Sequence, residues 1–359
     1  MPRRSGGRPD LSPGRAALGD VTVGDDLRVA VAGVVNLSPE SFHPDSVHTR
    51  GEDLLSVALG MVEAGAALID VGARSTAPYL DTAISEAEER DRLARAVELL
   101  ARKIPVPISA DTARPEPARA ALEAGARVIN DVSGLRDPAV AALVVKHSAS
   151  VIVMASPDLR GSGEGAVRPV PGASHTDATA PAGVGSGGPS STTLDRRRGP
   201  PTDGLRPLGP PPSHPQDPIA PAKPAREPRH DPVATVTTLL AAALERARAA
   251  GIPEERIVVD PGIGFFRDEG IPWHAWDCAV LAELAALRRL GRPICVGVSR
   301  KSFLGALTGR TRPDERLAGS LAATVVAVWN GTSLIRTHDV AETLDAIRVA
   351  ERFRRAAVR

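Results

Sequence analysis

Eight short apolar runs rich in β-branched residues punctuate the chain: VAVAGVVN (29–36), ALIDVG (67–72), PVPISADT (105–112), ARVINDV (126–132), SVIVMAS (150–156), RIVVDPG (256–262), RPICVGVS (292–299) and SLIRTHD (333–339). Longer Ala/Leu/Arg/Glu stretches of helical period separate them, at 52–65, 84–102, 115–125, 138–147, 232–250, 277–290, 314–330 and 340–354. A strand that is apolar nearly throughout has both faces buried, and helices between such strands provide the cover. The pattern predicts a parallel sheet. Its eight units predict closure into an α/β (β/α)8 TIM barrel, with a doubly wound open sheet as the competing arrangement.

One stretch breaks the pattern. Residues 157–230 hold 16 of the 33 prolines and 11 of the 33 glycines, and no aromatic residue. Such a composition buries too little apolar surface to offset the entropy of ordering. It reads as a disordered Pro/Gly-rich insertion after strand 5, inside a barrel spanning 27–354, because the units on its two sides complete one another. Residues 1–26 read as a second flexible segment. Setting both aside leaves close to the ~250 residues of a typical barrel. The two cysteines, Cys278 and Cys295, make neither a disulfide framework nor a metal cluster. A net charge of +1 gives no global field for nucleic acid. No apolar run is long enough to span a membrane, and MPRRSGGRPDLSPGR contains no secretory signal. These features predict a cytoplasmic enzyme.

In such barrels the C-terminal strand ends converge on one mouth. Here they carry Asn36, Asp70, Asp111, Asn130 with Asp131, Asp260, Ser299 to Ser302, and Arg336-Thr337-His338-Asp339. A single Asp in this position is an ordinary helix cap. Carboxylates or amides after six of the eight strands predict more: a pocket that hydrogen-bonds a polar, nitrogen-rich ligand from several sides. Arg300-Lys301 and Arg336 with His338 follow the last two strands and predict a local anion site. The loop NLSPESFHPDS offers oxygen donors of the kind Mg²⁺ accepts. DPGIGF supplies glycines that let backbone approach a flat ligand. Phe265 and Phe266 follow, and with few aromatic residues in the chain they predict a ring-binding wall.

Seven segments, NLSPESF, IDVGARSTAP, SADT, INDVSG, DPGIGF, GVSRKSFLG and RTHDV, occur in this order. On them the chain resembles the dihydropteroate synthases, pterin-binding barrels of folate synthesis, from about residue 29 to 354. The resemblance implies a transferase that condenses hydroxymethyl-dihydropterin diphosphate with p-aminobenzoate, giving dihydropteroate and pyrophosphate. It implies that Asn36 helps hold Mg²⁺ on the diphosphate and that Thr76 contacts the same group. It gives Asp111, Asn130 and Asp260 the pterin ring to hydrogen-bond, with Met154 packed against that ring. Lys301 would bond the pterin, Arg336 and His338 would bind the leaving pyrophosphate, and these three form the implied catalytic set. Phe265 and Ser302 would line the arylamine site. Family members are commonly homodimers, and the apolar segment LAATVVAVW (321–329) suits an interface or barrel packing equally.

The chain also departs from the family pattern. Bacterial members read Gly-Glu-Ser-Thr-Arg-Pro where this chain has Ala73-Arg74-Ser75-Thr76-Ala77-Pro78. The loop arginine is missing, and Arg74 stands three residues earlier, either as a substitute that reaches over the same diphosphate or as a surface arginine on the turn. Ala155 replaces a histidine, Glu40 an aspartate and Arg267 a lysine. NLSPESF and RSTA look more like archaeal-type synthases. Three other readings follow: a pterin–arylamine transferase of methanopterin-type synthesis, a pterin-dependent methyltransferase, and an inactive pterin-binding paralogue acting as an interaction module. Retention of Lys301, Arg336 and His338 opposes the last two.

Overall fold

All eight apolar runs become strands. A computed structural model describes residues 14–37, 47–74, 84–157, 231–267 and 270–357. Two short antiparallel strands come first, β1 (Arg15–Leu18) and β2 (Val21–Gly24). The parallel strands are β3 (Ala30–Asn36), β4 (Leu68–Gly72), β5 (Ile108–Asp111), β6 (Val128–Asp131), β7 (Ser150–Met154), β8 (Ile257–Asp260), β9 (Cys295–Gly297) and β10 (Leu334–Thr337). Neighbours pair in chain order from β3 to β8, and β10 lies between β9 and β3. The ring closes between β8 and β9, where the Val259 N–H donates to the Pro293 carbonyl at 3.0 Å beside a Val259–Ile294 bridge. The result is the expected (β/α)8 barrel.

The helices are α1 (Val47–Glu63), α2 (Glu86–Ala101), α3 (Pro115–Ala124), α4 (Pro138–Lys146), α5 (Pro232–Ala249), α6 (Trp273–Ala282), α7 (Ser302–Thr308), α8 (Leu317–Trp329) and α9 (Val340–Ala357). Their starts are written in the sequence. Ser85 Oγ accepts from the Glu88 N–H at 3.1 Å, and Asp137 and Asp231 cap α4 and α5 ahead of a proline at the first helical position. The helix expected at 277–290 begins earlier and divides into α6 and a 3₁₀ segment, Leu284–Leu290. The short α7 was not expected.

The reading of residues 1–26 as flexible is corrected at 14–24. Ala16, Leu18 and Val23 of the β1–β2 hairpin are buried against Ala32, Leu68, Val128, Ile152, Val258, Cys295 and Leu334, the inward residues at the bottom of the barrel. Without the hairpin this apolar layer would face water, so a Pro/Gly/Arg-rich terminus still orders there. The insertion read over 157–230 lies outside the described residues from 158 onward, as do residues 38–46 and Thr76.

Side chains two apart on a strand share a face. The floor residues therefore stand directly below a second inward layer: Leu68 below Asp70, Val128 below Asn130, Ile152 below Met154, Val258 below Asp260, Leu334 below Arg336. An apolar floor carries a polar ceiling, and that ceiling faces the mouth.

Candidate active site

Arg336 organises the polar layer. Its Nε donates to Asp70 Oδ2 at 2.9 Å, and its Nη2 donates to Asp70 Oδ2 and to Asp111 Oδ2, the latter at 2.9 Å. Asn130, its amide oxygen turned toward the guanidinium, accepts from Nη2 at 2.9 Å. Strand register brings these groups together, since Asp111 pairs with Asn130 and Gly297 with Arg336. Asp70 Oδ1 and Asp111 Oδ1 are buried and have no hydrogen-bond partner among the described residues.

Above this layer opens a cleft of about 130 Å³, lined by Val34, Asn36, Arg74, Asp111, Phe265, Gly297, Ser299, Lys301, Arg336 and His338. Lys301 Nζ lies 4.8 Å from the Phe265 ring centroid, a cation–π contact. His338 is held between Ser299 Oγ, 3.0 Å from Nδ1, and Asn36 Nδ2, 3.2 Å from Nε2. Ser302 Oγ accepts from Arg267 Nη2 at 2.8 Å. The DPGIGF turn is fixed by Asp260 Oδ1, which accepts from the Gly262 N–H at 2.8 Å, and by Asp277 Oδ1, which accepts from the Gly264 N–H at 2.8 Å. Gly262 has φ +74°, and a Cβ there would lie 2.3 Å from the Ala155 carbonyl oxygen, so only glycine fits.

Burial sets the electrostatics. Desolvation pushes Asp111 up to about 6, and the like charge of Asp70 adds to it, while Arg336 opposes. Asp260 is raised by burial against the pull of Arg336. Asp277 is pushed up to about 6 by burial, partly offset by the Gly264 N–H. Lys301 is lowered by burial and then by Arg336. His338 is pushed down to about 4 by burial and the Arg300 charge, which leaves it neutral at physiological pH. For Arg336, burial opposes the charge, but Asp70 and Asp111 outweigh it and raise the guanidinium above its ordinary value.

The structure brings Asn36, Asp111, Phe265, Lys301, Arg336 and His338 to one cleft, with Asn130, Met154 and Asp260 in the same inward layer and Ser302 next to Lys301. Thr76 lies outside the described residues. The expected aromatic wall divides: Phe265 lines the cleft, whereas Phe266 is buried and stacks on Trp276 with centroids 4.9 Å apart. Arg300 does not join Lys301 in the cleft. It pairs with Asp339, Nε to Oδ2 at 3.1 Å, and ties β10 to the start of α7. Three residues gain roles that sequence spacing did not reveal: Asp70 as the partner of Arg336, Ser299 as the partner of His338, and Asp277 as the anchor of the Gly264 turn. Asp70 and Ser299 were visible as strand-end polar residues; Asp277 gave no signal, because it lies inside a helix.

The chain matches the model of the family described as pterin binding enzyme over residues 32–181 and 214–338. It is 30% identical to the dihydropteroate synthase of Escherichia coli strain K12 across 322 residues, covering 89% of this chain and 90% of that protein. It is 32% identical to a probable bifunctional folylpolyglutamate synthase/dihydropteroate synthase of Halobacterium salinarum, over 92% of this chain and 32% of that one. Bacterial and archaeal relatives thus stand at similar identity, and neither lineage is singled out. In solved structures it resembles Xanthomonas albilineans dihydropteroate synthase with 4-aminobenzoic acid, with a TM-score of 0.68, 30% identity, and 95% of this chain and 98% of that chain covered. Barrel, strand-end residues and relatives agree, and the chain belongs to the pterin-binding enzymes and, among them, to the dihydropteroate synthases.

Proposed function

We propose that the cleft condenses hydroxymethyl-dihydropterin diphosphate with p-aminobenzoate, releasing pyrophosphate and forming dihydropteroate. The observation that carries this reading is Asp111. One of its oxygens is held by Arg336, and the other is buried and unpartnered. A buried acceptor of this kind is costly until an N–H donor reaches it, and the edge of a pterin ring is rich in such donors. Asn130 and Asp260 extend the same polar face, and Met154 supplies an apolar surface for the ring.

On this reading Phe265, in the cleft lining, and Ser302, which follows Lys301 in the chain, take the arylamine, and Lys301 serves both reactants. In the reaction the C–O bond to the diphosphate breaks, the arylamine nitrogen forms the new C–N bond, and that nitrogen loses a proton. The protein holds the two reactants in line and excludes water. The buried carboxylates stabilise positive charge developing on the pterin carbon. His338, neutral and fixed by Ser299 and Asn36, contributes hydrogen bonds rather than a charge. Arg336 acts mainly within the pterin-binding layer, since its guanidinium is committed to Asp70 and Asp111.

Among the described residues no group of three or more His, Cys, Asp or Glu could hold a metal ion by itself. Asn36, an exposed residue in the cleft lining, could offer one amide oxygen, which fits an ion carried chiefly by substrate oxygens and water, as Mg²⁺ on a diphosphate is. Such an ion would neutralise charge on the leaving oxygens. Among the described residues no helix is long and apolar enough to cross a membrane. The neighbouring helices α8 and α9 expose Trp329, 49% accessible, and Phe353, 62% accessible, which supports a homodimer through this face.

The test is binding of hydroxymethyl-pterin by titration calorimetry. Asp111→Asn is expected to weaken it by about tenfold or more, the order of a lost charge-assisted hydrogen bond of ~1.5–3 kcal/mol. Unchanged affinity would remove Asp111, and with it this reading of the cleft.

A further inference from the structure

One more buried carboxylate lies beside the cleft, and the reaction described above leaves it without a role. Glu89 of α2 is 0% exposed. Its Oε1 accepts from Thr112 Oγ1 at 2.6 Å. Its Oε2 accepts from Arg114 Nη1 at 3.0 Å and lies 3.3 Å from Arg74 Nε. Arg114 Nη1 also donates to the Ile84 carbonyl at 3.0 Å. Three segments therefore meet at one carboxylate: the chain leaving β4, helix α2, and the turn that follows β5 and Asp111.

The charge count at this point is unequal. Two guanidiniums share one carboxylate, which leaves one net positive charge. A buried carboxylate needs one such partner to be compensated; the second arginine is surplus. Arg74 itself lines the cleft, next to Asn36 and Asp111. Deeper inside, the balance is reversed. Asp70, Asp111 and Asp260 outnumber Arg336 and Lys301, so the inner cleft repels an anion while the Arg74 side attracts one. A substrate with a hydrogen-bond-donating ring and an anionic tail is thereby oriented, ring inward and tail toward Arg74.

We propose that Arg74 contacts the diphosphate of the pterin substrate, and that Glu89 and Arg114 are positioning residues that hold it there. The proposal rests on the function argued above and adds the residues that read the anionic half of the substrate. It assigns Glu89 a purpose beyond packing: a fixed, fully buried anchor keeps a long arginine side chain in one place, which lowers the entropy lost when the anion binds.

The experiment uses the full chain in Mg²⁺ buffer and two probes, inorganic pyrophosphate and hydroxymethyl-pterin lacking the diphosphate. Binding of each is measured for wild type, Arg74→Ala, Arg74→Lys and Arg114→Ala, with thermal melts recorded alongside. Arg74→Ala should weaken pyrophosphate about tenfold, the scale of one charge-assisted contact, and leave pterin affinity within about twofold. Arg74→Lys should recover part of the loss, because charge rather than packing is at stake. Arg114→Ala should weaken pyrophosphate while the protein still melts cooperatively. The proposal is overturned if Arg74→Ala leaves pyrophosphate binding unchanged, or lowers both probes in step. A wild-type protein that binds pyrophosphate but not the pterin would count against the proposed function and not against this anion subsite.

Discussion

Arg336 and Asp111 carry opposite charges inside one barrel mouth, and each sets the behaviour of the other. Asp111 can accept on both oxygens at once only as a carboxylate, and burial pushes its titration up to about 6. A proton bound below that pH settles on the oxygen that Arg336 does not hold and turns that acceptor into a donor, which an N–H of the ligand cannot use. Pterin affinity should therefore be flat above about pH 7 and fall by up to about tenfold per unit below pH 6. In Asp111→Asn the part of this limb that belongs to Asp111 should vanish, leaving only what the likewise raised Asp260 contributes. In Arg336→Gln, where the cation that lowers Asp111 is gone, it should move to higher pH; affinity measured across pH 5 to 8 checks both. His338 adds no limb in this range, being pushed down to about 4. At this scale the polar layer of the cleft was legible, because side chains two places apart on a strand share a face, so strand-end polar residues above the barrel floor point toward the mouth. Their pairing was not legible. Arg336 and Asp70 stand 266 positions apart, and no local pattern encodes which strand-end carboxylate a guanidinium meets. The same holds for Glu89, a helix residue whose neighbours suggest a solvated face.

The strands were readable from β-branched runs and the helices from period and caps, so the order of elements follows from sequence alone. The exceptions have physical causes. The β1–β2 hairpin has only four residues per strand, and its alternation is too short to stand out in a Pro/Gly/Arg-rich segment. It orders because the floor layer needs a cover. Leu18, buried on the floor, provides the test: Leu18→Ala should cost about 2–5 kcal/mol of unfolding free energy, as a buried leucine does elsewhere in a core. A denaturant midpoint unchanged by Leu18→Ala would show that the hairpin merely rests on the barrel. The seven-residue α7 escaped detection for a related reason, since two turns carry too few positions to establish a period. The DPGIGF turn, by contrast, announced itself through glycines that its left-handed backbone and the nearby Ala155 carbonyl both require.

Across the whole molecule, the described residues close the eight-stranded ring without drawing on 158–230, since β7 and β8 pair directly across the gap in sequence. Replacing residues 162–226 with a short Gly/Ser linker should accordingly keep the melting temperature within a few degrees and the transition cooperative. Loss of cooperativity would make the insertion part of the fold. The closed ring also explains the division of labour between its ends: the hairpin seals one end, and the other presents a charged, half-open layer to substrate. The measurement that bears most directly on this account is a product assay on the purified chain with hydroxymethyl-dihydropterin diphosphate, Mg²⁺ and p-aminobenzoate. Pyrophosphate and dihydropteroate are expected in equal amounts, with no pyrophosphate released when the arylamine is left out. Release that ignores the arylamine, or none under any condition, would contradict it.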